Sequence, residues 1–373
     1  MKLAYLCLKH PPMDGRVYYK ISKALKKQGH EIINIHPNIK DLLTEDEIQL
    51  LGYSQATGLR GRIQSFKNAR AIALKAKPDI IIAAEPDSLY VARGIKKSHK
   101  NIKIIFDCHE WYGEHFNIRI KSNIQKKIIR RLVPWWINGM VKYCDAVFSV
   151  NTTMAQYYAK YNTYSYTIPS IAELDSSPDM NAPRRSFIYF GQFGTLEQES
   201  ILLGAAKILK TRGSPACIVV IGGPKDPGSF RIRIAEMNVA DTISLISWLP
   251  RKQAFLKLNE GCAGIMRFDM KNYRGHPALP NKIFEYMAAG MAVIGCRLNP
   301  EITKIIDEEN CGIAIPDETP EALAEAINFL HQNPEKCYQM GQNSLSAVQK
   351  TYNWNHYGKL LNDIILKIAR VGS

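Results

Sequence analysis

The chain has 373 residues, 46% of them hydrophobic and 22% charged, which allows two domains with cores of their own and argues against disorder. Its formal net charge of +15 exceeds what solubility needs and implies an anionic partner: a nucleotide sugar, an anionic membrane or nucleic acid. Nucleic acid is set aside, because no RNA- or DNA-binding motif occurs and the basic residues are spread over several helices.

The eight cysteines, at 7, 108, 144, 217, 262, 296, 311 and 337, show no C-x-x-C spacing. Most lie in apolar runs, the pattern of reduced core thiols and not of a disulfide framework or a zinc site. Met1–Leu8 is too short for a signal peptide and runs into His10-Pro11-Pro12, and no apolar run reaches transmembrane length. The expected location is the cytoplasm, or the inner face of a membrane as a peripheral protein.

Leu3–Leu8 reads as a buried strand, Pro11–Arg16 as a loop, Val17–Gly29 as a helix and Glu31–His36 as the next strand. This β-loop-α-β order marks a parallel doubly wound sheet. The first loop holds a single glycine, so the dinucleotide fingerprint is missing and a dehydrogenase is disfavoured. Residues 37–61 are poorly patterned, and a short helix is expected around Leu42–Leu51. Helix Arg62–Ala76, strand Asp79–Ala84 and helix Asp87–Lys97 restore the alternation.

Strand Lys103–Phe106 opens into Asp107-Cys108-His109-Glu110-Trp111-Tyr112. Catalytic groups of doubly wound folds gather at such carboxyl ends of strands. His109, flanked by Asp107 and Glu110, is the polar candidate of the first domain, with Glu110 its expected partner. The segment Lys121–Tyr143 sets Lys126, Lys127, Arg130 and Arg131 against isoleucines, Leu132, Trp135 and Trp136, with a break expected at Pro134. It fits an interfacial membrane helix, or a sheet-covering helix with a solvated basic face. Strand Ala146–Val150 and helix Thr152–Tyr161 follow, and Thr167–Ser170 closes the first domain.

A Ser-, Pro- and Asp-rich linker, Ser170–Arg185, leads to strand Phe187–Phe190 and the loop Gly191-Gln192-Phe193-Gly194. A small-residue turn of this kind lets backbone approach a phosphate or a sugar. Strand Cys217–Ile221 ends in Gly222-Gly223-Pro224, strand Thr242–Leu245 leads to Trp248-Leu249-Pro250, and strand Ala263–Met266 ends at Arg267. The loop Phe268–Leu279 carries Asp269, Lys271, Tyr273 and Arg274.

Leu279–Gly295 combines a loop, a helix and a strand. Pro280 suits a first helical turn, Asn281 an N-terminus and Gly290 a left-handed cap, so a helix is predicted over Asn281–Ala289. Ile283, Phe284 and Met287 share an apolar stripe, while Lys282 and Glu285 lie on another side. The result is a positive helix end open to an anion, with a carboxylate one turn inside it. An ordinary packing helix with a surface Glu accounts for the spacing equally well. Strand Ala292–Gly295 follows, then helix Pro300–Glu308, strand Cys311–Ile315, helix Pro320–Leu330 and a last helix, Asn355–Ala369.

Pro280-Asn281-Lys282 with Phe284-Glu285-Tyr286-Met287-Ala288-Ala289-Gly290 and Val293-Ile294 resembles the donor-site signature of family 4 of the GT-B glycosyltransferases. The resemblance covers nearly the whole chain, most specifically at 104–112 and 279–295. It implies two Rossmann-like doubly wound parallel-sheet domains facing a cleft. Residues 1–169 would bind the acceptor, 170–352 the nucleotide sugar, and 353–373 would form a helix crossing back to the first domain. The implied function is a retaining, metal-independent glycosyltransferase, hexosyl- or related. It would move a sugar from a nucleotide-sugar donor to a glycan or lipid-linked acceptor in cell-surface polysaccharide biosynthesis.

The resemblance also assigns roles. Glu285 would bind the ribose hydroxyls, the amides around Pro280 and Asn281 the diphosphate, and Trp248 and Leu249 the base. Gly191, Gln192, Phe193, Gly194 and Gly222 would line the donor, and His109 would lie beside the transferred sugar with Glu110. Asp14-Gly15-Arg16 matches an Asp-x-Arg of the family on the acceptor side, where Arg16 would neutralise diphosphate or an acidic acceptor; a helix-starting Arg in solvent accounts for the residue equally well. Lipid-linked acceptors would favour membrane contact by Lys121–Tyr143.

Three positions depart from the family. Pro277 stands where many members carry a Glu that contacts the sugar, and Gln192 and Glu197 stand where they carry an Arg and a Lys. Lys282 and Arg267 are the substitute cations for the leaving diphosphate. No Asp-x-Asp pair occurs, so no metal and no cofactor beside the nucleotide sugar is expected. A sugar-nucleotide epimerase of the same architecture and a non-catalytic glycan-assembly partner are the alternatives.

Overall fold

The computed structural model describes residues 1–55, 57–115, 122–171, 178–181, 183–193, 196–224, 226–266 and 277–370. The chain divides into two units, Met1–Ser170 with Trp354–Ser373, and Ile171–Asn353.

In the first unit, β1 (Lys2–Leu6) is followed by a π-helical turn (Val17–Ser22) that continues as α1 (Lys23–Lys27). Then come β2 (Glu31–Pro37), β3 (Leu42–Leu43), β4 (Gln49–Tyr53), α2 (Gly58–Ala76), β5 (Ile80–Ala83) and α3 (Pro86–Ser98). After these lie β6 (Lys103–Cys108), α4 (Tyr112–His115), α5 (Asn123–Val141), β7 (Ala146–Ser149), α6 (Thr152–Ala159) and β8 (Ser165–Thr167). The sheet order is β3-β4-β2-β1-β5-β6-β7-β8, parallel except where β3 meets β4. The central strands are apolar throughout because helices cover both faces; Ile80, Ile81, Ile82, Ile104 and Ile105 are all buried.

The second unit runs β9 (Ser186–Gln192), α7 (Leu196–Thr211), β10 (Cys217–Gly223), α8 (Pro227–Glu236), β11 (Ile243–Ile246) and α9 (Arg251–Leu258). It continues with β12 (Gly261–Ile265), α10 (Lys282–Ala288), β13 (Ala292–Cys296), α11 (Pro300–Glu309), β14 (Gly312–Ile315), α12 (Pro320–Gln332) and α13 (Pro334–Lys350). Its sheet, β11-β10-β9-β12-β13-β14, is parallel throughout. This is the 3-2-1-4-5-6 order, whose chain direction switches between β9 and β12. The last helix, α14 (Trp354–Arg370), returns to the first unit. There Gly358 packs on Ala24 of α1, and Asn362 Oδ1 lies 2.9 Å from His30 Nε2.

Helix ends follow local chemistry. Asn151, Asp226, Asn299 and Thr319 each accept a first-turn amide with their side chains, at α6, α8, α11 and α12. Lys77 and Asn310 close α2 and α11 in the left-handed region.

Two expectations are corrected, and one helix is added to them. Leu42–Leu51 is not a helix: Thr44–Glu47 is a tight turn in which the Thr44 amide donates to the Ile48 carbonyl and Thr44 Oγ1 accepts the Ile48 amide, both at 3.1 Å. The apolar alternation of Ile48 and Leu50 then buries β4 beside β2. Pro134 does not break the basic helix, since α5 runs through it and the proline ring packs on Gly113 of α4. Finally, α13 was not foreseen.

Candidate functional site

Ligands of doubly wound sheets bind at the carboxyl ends of the strands where the order switches. In the second unit, β9 and β12 pair only as far as Ile188 and Gly264, while β9 stays paired with β10 out to Gln192. The gap past Ile188 is bridged by one side chain. Tyr286 of α10 accepts the Phe190 amide at 2.8 Å and donates to the Ile265 carbonyl at 3.0 Å. Gly264 has no Cβ because the Tyr286 ring fills that space.

Three glycines then turn the chain. Gly191 has φ +107°, Gly222 φ +95° and Gly223 φ +73°, a region that side chains disfavour. The Gly223 carbonyl accepts the Phe193 amide at 3.0 Å. Lys282, the first residue of α10, lies across this turn. A Cβ on Gly191 would sit 2.7 Å from Lys282 Nζ, which lies 5.2 Å from the centre of the Tyr189 ring.

α10 buries Ile283, Phe284, Tyr286 and Met287 and leaves Lys282 and Glu285 half-buried one turn apart. Its last carbonyls are capped by Arg184, whose Nη1 donates to Ala289 at 2.6 Å and Gly290 at 3.2 Å, a cation at the negative helix end. Pro280 is half-buried and Asn281 exposed at the start of α10. Trp248 is 72% exposed and Leu249 half-buried beyond β11. Gln192 ends β9 exposed, Phe193 is buried, and Pro277 is buried. Arg267, Gly194 and the loop holding Asp269, Lys271, Tyr273 and Arg274 lie outside the described residues.

The first unit has its own switch, between β1 and β5, and there a second polar cluster forms. Asp107, at the end of β6, is fully buried and accepts from Arg16 Nη2 at 2.6 Å and Nε at 3.0 Å, and also from the Tyr5 hydroxyl. Arg16 donates its remaining arm to the Ile168 carbonyl at 2.9 Å and is itself 7% exposed. Burial pushes the Asp107 carboxyl up, and the Arg16 charge overrides that, leaving it below its ordinary value. Arg16 therefore neither faces solvent nor presents a free charge to an acceptor. It ties the loop after β1 to β6 and to the strand that ends the unit.

Asp14 Oδ1 accepts the amides of Arg16 and Val17, at 2.7 and 2.9 Å, and its carbonyl accepts Tyr19 five residues on, starting the π-helical turn. Gly15 beside it is exposed. The other Asp14 oxygen lies 3.4 Å from His10 Nδ1.

His10 Nε2 in turn lies 3.0 Å from His109 Nε2, and His109 Nδ1 lies 3.3 Å from the Asp107 carbonyl. One proton joins the two facing nitrogens, so the imidazoles cannot both be charged without repulsion. Burial depresses His109 to about 4, partly opposed by Asp107. Burial also acts against a charged His10, yet the Asp14 contact and the Glu85 and Asp14 charges outweigh it and raise its pKa. The consistent arrangement is a protonated His10 donating to Asp14 and to a neutral His109.

Glu85, at the end of β5, completes the cluster. Its Oε1 accepts the Leu8 amide and the Ser88 hydroxyl at 2.5 Å each, while Oε2, 3.5 Å from His10, is buried without a hydrogen bond. Burial raises its pKa to about 7, against the lowering effects of Ser88, His10 and the Leu8 amide. The reading of the sequence singled out His109 and Glu110 but missed His10 and Glu85. Glu110 is half-buried two residues beyond the end of β6.

Residues 15–170 match the family model for Glycosyltransferase Family 4, and residues 171–346 match that for Glycosyl transferases group 1. No curated protein sequence matches the chain significantly. Among solved structures, sucrose-phosphate synthase from Thermosynechococcus elongatus superposes with a TM-score of 0.73 at 16% identity, over 98% of this chain and 98% of that one. Anabaena HepE in complex with UDP gives 0.73 at 11% identity, over 98% and 100%. A glycosyltransferase from Rickettsia africae gives 0.71 at 14%, over 100% and 99%. The Anabaena protein is also known in complex with UDP-glucose, where the TM-score is 0.70 at 10% identity, over 98% and 100%.

Proposed function

Because the chain belongs to the family-4, group-1 glycosyltransferases of the GT-B fold, we propose that it is a retaining, metal-independent member. It transfers a sugar from a nucleotide-sugar donor to a glycan or lipid-linked acceptor in cell-surface polysaccharide biosynthesis. The observation that carries this reading is Lys282 lying across Gly191 at the β9/β12 switch, with Glu285 one turn on. As the bond from anomeric carbon to diphosphate oxygen breaks, charge gathers on the leaving diphosphate. A fixed ammonium beside a turn whose glycines admit close approach stabilises that charge without a metal. Glu285 is spaced to take the ribose hydroxyls.

In this reading the first unit contributes His109, held at the carboxyl end of β6 by His10 and by the Asp107 carbonyl. The UDP and UDP-glucose complexes of the Anabaena neighbour make uridine diphosphate sugars the first donors to test. A melting-temperature screen of UDP-, GDP-, dTDP- and CMP-sugars tests the reading. A true donor at 100 times its Kd stabilises the fold by about 2.7 kcal/mol, and no shift with any of them would contradict it.

Peripheral membrane contact is part of the proposal. On α5, Ile124, Ile128, Leu132 and Trp135 form a stripe that is 50–73% exposed, with Lys127 and Arg131 exposed between them. A basic helix whose apolar stripe faces outward fits an anionic interface. No described helix is long and apolar enough to cross a membrane. Flotation with phosphatidylglycerol vesicles, lost in an Ile128→Ser/Trp135→Ser variant, is the expected result.

A further inference from the structure

Three grooves in the first unit share walls. One of about 400 Å³ starts at Leu8 and Lys9, beside the His10–Glu85 cluster, and reaches Arg62, Phe66 and Asp87. The next, of about 470 Å³, shares those three residues and runs between α2 and α3 to Arg93 and Trp136. The third, of about 510 Å³, shares Arg93 and Trp136 and continues along α5 past Trp135. Together they form one trough, from the polar end of the sheet to the exposed apolar stripe of α5.

The trough has a two-part chemistry. Along its floor Phe66, Tyr90 and Trp136 follow one another with ring centres 5.6 and 6.4 Å apart, and Tyr90 is half exposed. Around them stand Lys67, Arg70, Arg93 and Lys97, none of which makes an ion pair among the described residues. The one carboxylate among the residues lining the middle groove, Asp87, is taken by Arg62 and Lys9. Arg93 stacks on the Tyr143 ring, 4.4 Å from its centre, and Arg70 Nη2 donates to Ser98 Oγ at 3.0 Å, so none of the four is neutralised by a described carboxylate. An aromatic floor beneath cations without a counter-carboxylate selects a ligand that is both apolar and anionic, since aromatic faces hold methylenes and guanidinium groups hold phosphate oxygens.

We propose that this trough binds the acceptor, and that the acceptor is a single-chain lipid phosphate or diphosphate. Its phosphate is held by Arg70, Arg93 and Lys97, and its chain runs over Tyr90 and Trp136 toward the α5 stripe. The sugar end then extends past Arg62 to Lys9 and the His10 cluster. The role as acceptor rests on the transferase reading above; the binding site does not.

The test is calorimetry of the full chain with dodecyl phosphate below its micelle concentration, beside dodecyl maltoside and inorganic pyrophosphate. UDP is titrated in parallel into wild type and Arg70→Glu/Lys97→Glu, whose changed residues are both exposed. Dodecyl phosphate should bind wild type at least tenfold more tightly than either other probe. The double variant should lose at least tenfold in that affinity, and a Tyr90→Ser variant several-fold. UDP affinity should be unchanged in both variants. Equal binding of dodecyl maltoside, or full dodecyl phosphate affinity in the double variant, overturns the site. So does a double variant that loses phosphatidylglycerol vesicles but keeps dodecyl phosphate, because the cations would then serve a membrane headgroup surface. Absence of UDP binding in wild type would instead count against the donor reading, and the alkyl phosphate titration would still decide the trough.

Discussion

Lys282 occupies the space that a side chain at Gly191 would need: a Cβ there would lie 2.7 Å from Lys282 Nζ. One residue is small so that another can hold its charge over the turn. Gly191→Ala should therefore displace the ammonium as well as strain a backbone at φ +107°, at a stability cost of about 1–3 kcal/mol. Lys282→Ala should remove the charge without the strain. Both should weaken nucleoside diphosphate roughly tenfold or more and nucleoside much less, measured by calorimetry with UDP and uridine. Equal losses for the two ligands would refute the charge argument.

Tyr286→Phe should be costly for so small a change. The lost hydroxyl leaves the Phe190 amide and the Ile265 carbonyl without their partner, at about 1–3 kcal/mol for each buried group left unsatisfied. Denaturant unfolding reads this directly, and a variant as stable as wild type would mean that water replaces the hydroxyl.

Arg16 and Asp107 should behave as a structural pair. Asp107 is fully buried, so Arg16→Ala leaves an uncompensated carboxylate and should cost about 3–5 kcal/mol. Arg16→Met with Asp107→Leu should recover much of the loss, as burial of matched apolar groups often does. A stable Arg16→Ala protein with impaired acceptor kinetics would restore a direct role for Arg16.

His36 sets a pH dependence. Its Nδ1 lies 3.1 Å from the His10 carbonyl and its Nε2 is buried without a partner. Burial holds it at about 4, against the raising effect of that carbonyl. An unfolded histidine titrates near about 6.5, so between about 4 and 6.5 the unfolded chain binds more protons. Stability from this source is full above that window and is lost as pH falls through it. His109 acts in the same direction, while Glu85, raised to about 7, acts in the opposite one. His36→Gln should flatten the rise in melting temperature between pH 4 and 6.5, leaving the part due to His109 and to His30, whose pKa burial also lowers. An unchanged slope would show that His36 is protonated in the fold.

Much of the architecture was legible because parallel strands buried on both faces announce themselves as apolar runs, such as Ile80–Ala83 and Ala292–Cys296. The helix carrying Lys282 and Glu285 was legible from Pro280 and Gly290, which mark its ends locally. What stayed hidden depends on contacts far apart in sequence. Arg16 meets Asp107 across 91 residues, His10 meets His109 across 99, and Tyr286 reaches Phe190 across 96. No spacing rule connects such pairs. The error at Leu42–Leu51 had a local cause. Its acidic middle, Thr44-Glu45-Asp46-Glu47, resembles a first helical turn, and only pairing with β2 shows that Ile48 and Leu50 belong to a strand.

The central claim is that the second unit holds a nucleotide sugar through α10, and Glu285 tests it most directly. Glu285 is half-buried and off the apolar stripe of its helix, so Glu285→Ala should change the melting temperature little. Calorimetry with UDP and UDP-glucose should show both binding wild type and both losing at least tenfold affinity in the variant, because the ribose hydroxyls lose a charged acceptor. A correctly folded Glu285→Ala protein that binds both ligands as wild type does would contradict the account.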